Sequence, residues 1–314
     1  MTLTRKQHQV PQFLLRNFAF NDGKQLHALD KSTGHEFAVS VKDAAAQNGF
    51  YNFALPNDSI SIESHLGKLE TAASTAISKL TDTETLECLT DDDRCWVSLF
   101  VCVQLARSPN WRLMQQDLTK QFVAHAEALG APPDRDLHGV ALDAALALQS
   151  IADANRWVPL ILQKTWALAR ASERDNLLVS DSPLTLHNYR QFGPYGNLGL
   201  AVPGIQIQLP LSNKLSLWMI CPTLHAEFES AAQALGDPEI ARKARTALDE
   251  LSAMLESMRL GQPITLTPDN VTFFNHLQVR FAARFVYSHD GDFSLVRRML
   301  RDNEGYRRGT RFKF

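Results

Sequence analysis

No long apolar run exists in this sequence. The longest nearly apolar stretch, Trp96 to Ala106, falls far short of the roughly 20 residues that a helix needs to cross a bilayer, so no membrane partner is expected. The first twenty residues mix Arg5, Lys6 and His8 with scattered apolar side chains and contain no signal-peptide core. Glycine and proline are sparse, 15 and 14 in 314 residues, which excludes collagenous and low-complexity chains; a hydrophobic content of 45% excludes intrinsic disorder. Neither sign of charge dominates. With 32 basic residues against 34 acidic, the formal net charge is −2, and the chain as a whole is no polyanion binder. Cysteine is also scarce. Cys88, Cys95 and Cys102 lie seven apart, with Cys221 alone; this is not the C-x-x-C spacing of zinc or redox sites. Without a targeting segment, the four read as reduced, buried thiols, and the expected location is cytoplasmic.

Several catalytic signatures are missing too. There is no G-x-S-x-G elbow, no H-E-x-x-H pair, no G-x-x-x-x-G-K-[ST] loop and no G-x-G-x-x-G, which disfavours acyl transfer and nucleotide cradling by a glycine loop. No internal repeat is present.

The sequence does contain helical pattern. Residues 10–20 predict a short helix with Pro11 in its first turn. A β-hairpin follows, Gln25 to Lys31 and His35 to Val41 around Ser32-Thr33-Gly34. Ile62, Leu66, Leu69, Ala73, Ile77 and Leu80 recur at helical steps. Thr90 and Asp93 form a capping-box start for the next helix, and Ser108-Pro109 restarts another. An Ala- and Leu-rich helical pattern then continues through Leu168, broken near residues 130–133 and bent at Pro159. Short strands are expected at Leu177–Val179, Ile205–Leu209 and Leu215–Ile220. Helices return at Thr223–Leu235, Pro238–Leu260 and Pro268–Tyr287. The expected fold is α+β, predominantly α-helical: one helical body with an N-terminal β-hairpin and a few short strands in residues 176–220. Residues 1–295 form a single domain in this reading, and 296–314 a basic C-terminal tail. That tail carries seven basic residues against Asp302 and Glu304, a net +5 that leaves −7 on the remainder. Its Tyr306, Phe312 and Phe314 offer stacking faces for bases, or the tail is simply solvated or docked on the acidic body.

Polar residues on apolar faces are the informative feature. Arg107 falls near the centre of the stripe Trp96, Leu99, Phe100 and Val103, so its guanidinium must either snorkel from the helix end or find a partner. Glu63 and Glu70 are seven apart, roughly 20° from each other on the helix, and border the Ile62–Leu66–Leu69 stripe. Facing inward, they would share a raised pKa or bind a metal; facing outward, they are solvated. Asn275 and Gln278 edge the stripe Val271, Phe274, Phe281 and Phe285. His8 stands ahead of a helix start, and Asp181 follows a buried strand on a loop held by Pro183, where sites are often built and turns often capped.

These residues sit in a wider pattern. Gln7-His8-Gln9-Val10-Pro11-Gln12-Phe13-Leu14-Leu15-Arg16-Asn17-Phe18 resembles the N-terminal signature of the domain of unknown function 4238 family, an uncharacterised, mainly bacterial family. The resemblance continues through Leu29-Asp30-Lys31-Ser32-Thr33-Gly34, Phe50-Tyr51, Ile62-Glu63 and Leu69-Glu70. It runs on through Gln104-Leu105-Ala106-Arg107-Ser108-Pro109, Val179-Ser180-Asp181-Ser182-Pro183, Leu209-Pro210-Leu211, and Asn275 with Ala283-Arg284-Phe285-Val286-Tyr287-Ser288. Spanning nearly the whole chain, it favours one domain. It implies His8, Glu63, Glu70, Arg107, Asp181 and Asn275 as site residues, and it implies no reaction.

A histidine, carboxylates, an arginine and an amide can assemble a hydrolytic site. Histidine would serve as general acid or base, carboxylates as base or as ligands for Mg²⁺ or Mn²⁺, and Arg107 as an anion clamp. The leading expectation is therefore a cytosolic, nuclease-like hydrolase of nucleic acid or nucleotides, in a toxin or phage-defence setting. The alternative is a non-catalytic interaction or regulatory protein whose buried polar network is structural.

Overall fold

In a computed structural model of the chain, the described residues are 6–48, 52–55, 58–61, 63–130, 140–192, 196–235 and 245–309. The chain opens with β1 (Lys6–His8), α1 (Gln12–Arg16), β2 (Gln25–Asp30), β3 (His35–Ser40), β4 (Ala46–Asn48), β5 (Asn52–Leu55) and β6 (Asp58–Ser61). A helical stretch follows: α2 (Glu63–Thr83), α3 (Asp91–Ala106), α4 (Pro109–Ala128), α5 (Val140–Asp153) and α6 (Val158–Leu162). Then come β7 (Thr165–Arg170), β8 (Val179–Ser180), β9 (Thr185–His187), β10 (Gln206–Pro210) and β11 (Leu215–Ile220). The chain continues through α7 (Pro222–Leu235), α8 (Arg245–Arg259), β12 (Pro263–Thr265), α9 (Pro268–Phe281), β13 (Phe285–Ser288) and α10 (Ser294–Asp302). The fold is α+β with helix predominant.

Two sheets organise the interior. One runs β12-β7-β11-β10-β9, antiparallel except for the parallel β12–β7 pair; the other runs β3-β2-β13-β8, antiparallel throughout. β1 pairs with β4, placing His8 opposite Ala46, and β5 pairs with β6. In the β2–β3 turn, Gly34 takes φ +79, a conformation that a Cβ would strain.

Local chemistry explains the central helices. Leu66, Leu69, Ala73, Ile77 and Leu80 bury one face of α2. Thr90 and Asp93 form the reciprocal capping box of α3, and Ser108 Oγ caps α4 by accepting from Trp111 N, with Pro109 in the first turn. α3 becomes fully buried towards its end, from Phe100 to Ala106. Trp96, read above as part of that stripe, is 44% exposed, because the buried face starts one residue later at Val97.

The structure differs from the sequence reading in several places. Pro11 is the N-cap of the first helix, which covers only Gln12–Arg16. The helical pattern read through Leu168 stops at Leu162, and Thr165–Arg170 is a strand near the middle of the five-stranded sheet. Trp166 to Ala169 are buried on both faces, and a short run buried all round carries no period that separates strand from helix. Pro159 starts the short helix α6 instead of bending a long one. The last long helix ends at Phe281, and Phe285–Ser288 leaves it to become β13. Strands thus extend beyond residues 176–220 on both sides. Breaks expected at residues 131–133, and the helix start at 238–244, lie outside the described residues. All four cysteines are free, but Cys95 is exposed and Cys88 half-buried, in a separate 3₁₀ turn before α3. Residues 294–307 form α10 and a 3₁₀ turn, with Val296, Met299 and Leu300 buried against Leu29, Val279 and Val286; residues 310–314, with Phe312 and Phe314, lie outside the described residues. No helix among the described residues is long and apolar enough to cross a membrane.

Candidate functional site

The first residues are held on the body by backbone pairing. Beyond β1, Gln9 N donates to Ala45 O (2.7 Å), and Ala45 N donates to the Tyr287 hydroxyl (2.8 Å) at the heart of the four-stranded sheet. Burial raises the pKa of that phenol and keeps it neutral. Val10, Leu14 and Leu15 are fully buried, which fixes the angle between the strand and α1. His8 therefore faces Gln12, one helical turn on. Gln12 Nε2 approaches His8 Nε2 at 3.0 Å, and Arg16 donates to Gln12 Oε1 at 3.3 Å. With its oxygen held by a guanidinium, the Gln12 amide presents its N–H to the ring, so His8 Nε2 is the acceptor.

Arg107 ends α3, and it does not snorkel. Its side chain is 1% exposed and places NH1 2.6 Å from Glu70 Oε1. Nε and NH2 both donate to Gln104 Oε1 (2.9 and 2.6 Å), and Gln104 Nε2 donates to Gln9 O (2.9 Å). One chain of hydrogen bonds thus joins α2, α3 and the segment between His8 and α1. Its outer end is open. Glu70, with its side chain 28% exposed, shares with His8, Gln12, Thr71 and Ser74 the polar part of the wall of a cavity of about 340 Å³, which Phe13 and Leu66 complete. Arg107 stands behind this wall and, among the described residues, meets it at Glu70.

Asp181 lies elsewhere. It is 2% exposed and accepts from three successive backbone N–H groups: Ala283 N (2.7 Å), Arg284 N (2.8 Å) and Phe285 N (2.8 Å). Burial pushes its carboxyl up, and the three N–H donors and the nearby Lys31 ammonium pull the other way. Lys31 is itself fully buried, with Nζ 2.6 Å from both Val279 O and Ala282 O, the unpaired carbonyls at the end of α9. Burial lowers this lysine to about 8. Together the two charges fix the break between α9 and β13 from both sides. Asn275 and Gln278 act similarly on the other edge. Asn275 accepts from Leu178 N and donates to Asn176 O, both at 2.8 Å; Gln278 accepts from Ser180 Oγ (3.0 Å) and donates to Pro183 O (2.7 Å).

The six sequence-derived positions therefore divide. His8 and Glu70 border one cavity, with Arg107 behind it; Asp181 and Asn275 do not border it and hold the fold. Glu63 begins α2, and its side chain lies outside the described residues. Among the described residues, no three His, Cys, Asp or Glu side chains stand together as a metal-binding group, and Glu70, paired with Arg107, is the carboxylate that lines the cavity. Sequence reasoning missed Gln12, Gln104 and Lys31, and the Arg284–Asp30 pair (2.7 Å). Burial pushes the Asp30 carboxyl up, but hydrogen bonds from Arg284 and Ser32 outweigh it and hold the group below its ordinary value. Gln12, Lys31 and Gln104 all lie inside the motifs quoted above, which was the available signal.

The family model described as Protein of unknown function (DUF4238) matches residues 6–292. The chain belongs to the DUF4238 family. The matched span starts two residues before His8 and ends just after β13, so every residue of both polar groups lies within the DUF4238 match. Comparison with curated proteins and with solved structures finds no match.

Proposed function

We propose that this DUF4238 chain is a cytosolic hydrolase of phosphodiester bonds in nucleic acid or nucleotides, with the His8–Glu70 cavity as its reaction centre. The observation that supports this reading is that an imidazole and a carboxylate border one open cavity, the imidazole bonded to the Gln12 amide and the carboxylate paired with Arg107 behind it. In this reading, His8 Nε2 takes a proton from the attacking water and later returns it to the leaving oxygen, once substrate has displaced the Gln12 amide. Glu70 orients that water. Arg107 is a positioning residue, because its described hydrogen bonds go to Glu70 and Gln104 and it is not among the described residues that line the cavity. Thr71 and Ser74 supply hydroxyls on the same wall. Mg²⁺ or Mn²⁺ is the cofactor that suits phosphate chemistry, and Glu70 is the residue that would hold it.

The same arginine favours a second reading, a non-catalytic interaction or regulatory protein. The Glu70–Arg107–Gln104–Gln9 chain ties three elements together whatever the cavity does. Incubating the protein with RNA, DNA and nucleotides, with and without Mn²⁺, separates the two. Cleavage lost in a folded His8→Ala variant supports the hydrolase; no cleavage of any substrate supports the second reading.

A further inference from the structure

The end of the described chain carries charge mostly of one sign. Residues 294–308, which form α10 and the 3₁₀ turn after it, hold five arginines against Asp302 and Glu304, a net +3, while the rest of the chain carries −5. Helical geometry gathers three of the five. At 100° per residue, Arg297, Arg298 and Arg301 fall within about 100° of one another, opposite Val296, Met299 and Leu300. The apolar set is buried against Leu29, Val279 and Val286, and the three arginines are exposed. Their ties to the body are slight. Arg297 meets Glu36 (2.9 Å) and Arg301 meets Asp302 (3.4 Å) as surface pairs, a kind that contributes little and yields to a stronger anion. The Arg298 side chain forms no hydrogen bond or ion pair with a described residue. This face also lies away from the His8–Glu70 cavity. Val286 and Tyr287 are consecutive in β13 and so point to opposite faces of the four-stranded sheet. Val286 packs under α10, whereas the Tyr287 hydroxyl meets Ala45, next to the β1–β4 pair that carries His8. The sheet stands between the two.

We propose that the arginine face of α10 binds the phosphate backbone of duplex nucleic acid without reading its sequence. Charge and chemistry choose the partner. All three side chains are arginine, whose planar fork takes two oxygens of a phosphate at once. Arg297 and Arg301 stand one helical turn apart, about 5–6 Å at Cβ, so neighbouring phosphates of one strand can be met together. Contacts of this kind hold the backbone and carry no sequence information. A membrane is a poorer match, because the apolar face that would enter a bilayer is buried in the body. So is a single strand, since Tyr306, the aromatic residue of this segment, is half-buried against His276 and leaves bases little surface for stacking. The inference does not rest on the hydrolase reading: the face binds whether or not His8 takes part in cleavage.

The probe is a fluorescein-labelled DNA duplex of mixed sequence, titrated with the full chain in EDTA and read by anisotropy at several salt concentrations. Saturable binding is expected, with log Kd rising by about 3 per tenfold rise in salt, the release from three neutralised phosphates. An unlabelled duplex of unrelated sequence should displace the probe equally well. The triple variant Arg297→Gln, Arg298→Gln, Arg301→Gln keeps helix propensity and removes the charge. It should bind at least about tenfold more weakly and lose most of the salt dependence, with far-ultraviolet circular dichroism unchanged. Arg298→Gln alone breaks no described contact and should reduce the salt dependence by about 1. Lys120, Arg156 and Arg245 are exposed on α4, on the 3₁₀ turn before α6 and on α8. Changing all three to Gln removes the same charge and should leave the affinity within about twofold, because distant surface charges are screened. The proposal is overturned if the duplex does not bind saturably, if binding ignores salt, if the α10 variants bind as wild type does, or if the control variant loses as much. It is also overturned if poly-glutamate, or vesicles of equal parts phosphatidylcholine and phosphatidylserine, displace the probe as well as unlabelled duplex does; either result would assign the face to an acidic protein or to a membrane. Binding without any cleavage would sink the hydrolase reading and leave this one standing.

Discussion

The Arg107–Glu70 pair shows how one contact can have unequal ends. Arg107 is sealed in the interior, whereas Glu70 faces the cavity. Removing the carboxylate takes a counter-charge from a buried guanidinium; removing the guanidinium leaves a carboxylate that water can reach. Glu70→Ala should therefore lower unfolding free energy by about 3–5 kcal/mol, and Arg107→Met by about 1–3 kcal/mol, as read from urea midpoints. Equal losses from the two variants would mean that Arg107 also reaches water. Asp181 tests the other polar group. Asp181→Asn keeps the shape but turns an N–H towards donors at 283–285, and it removes the counter-charge near Lys31. A loss of about 3–5 kcal/mol is expected, and a change under 1 kcal/mol would show that these hydrogen bonds are not structural.

At the scale of elements, α3 is the piece on which the others rest, packing against α2, α5 and α6. Phe100, fully buried in it, lies under the Arg107 guanidinium and against Phe13 of α1. Phe100→Ala should cost about 3–5 kcal/mol in chemical denaturation, and a loss below 1.5 kcal/mol would place the core elsewhere. What was legible in the sequence follows from what is local. The α2 stripe and the α3 and α4 caps depend on residues within one or two turns, so periodicity and capping chemistry reveal them. The β7 strand was not legible, because Thr165–Arg170 is a strand only by virtue of β11 and β12 on its flanks. The break after Phe281 was hidden for a related reason. It is fixed by Lys31 and Asp181, each more than a hundred residues away and acting on backbone atoms that carry no residue identity. The same holds for the site. Arg107 and Glu70 were awkward enough on their helical faces to be noticed, but only the fold separates them from Asp181 and Asn275.

For the whole molecule, buried titratable groups set the pH range of stability. Burial, with Arg280 adding to it, holds His187 and His276 below the ordinary 6.5. Around and below that pH the unfolded chain takes up protons that the native state refuses, so stability should fall as pH drops from about 7 towards 5. The His187→Gln, His276→Gln double variant should flatten this slope; an unchanged slope would assign it to other groups. Lys31 acts at the alkaline end. Its folded value of about 8 lies below the ordinary 10.5, so the unfolded chain binds the extra proton between those values and stability should rise across that window. Lys31→Met should remove the rise. The division of polar residues into a reactive pair and a structural set is the central claim, and the rate of phosphodiester or nucleotide hydrolysis by His8→Ala, relative to wild type, tests it most directly. A folded variant at least about a hundredfold slower than an active wild type is the predicted result, the usual worth of a lost general acid–base. A wild type that cleaves nothing, or a folded variant that cleaves at the same rate, would contradict it.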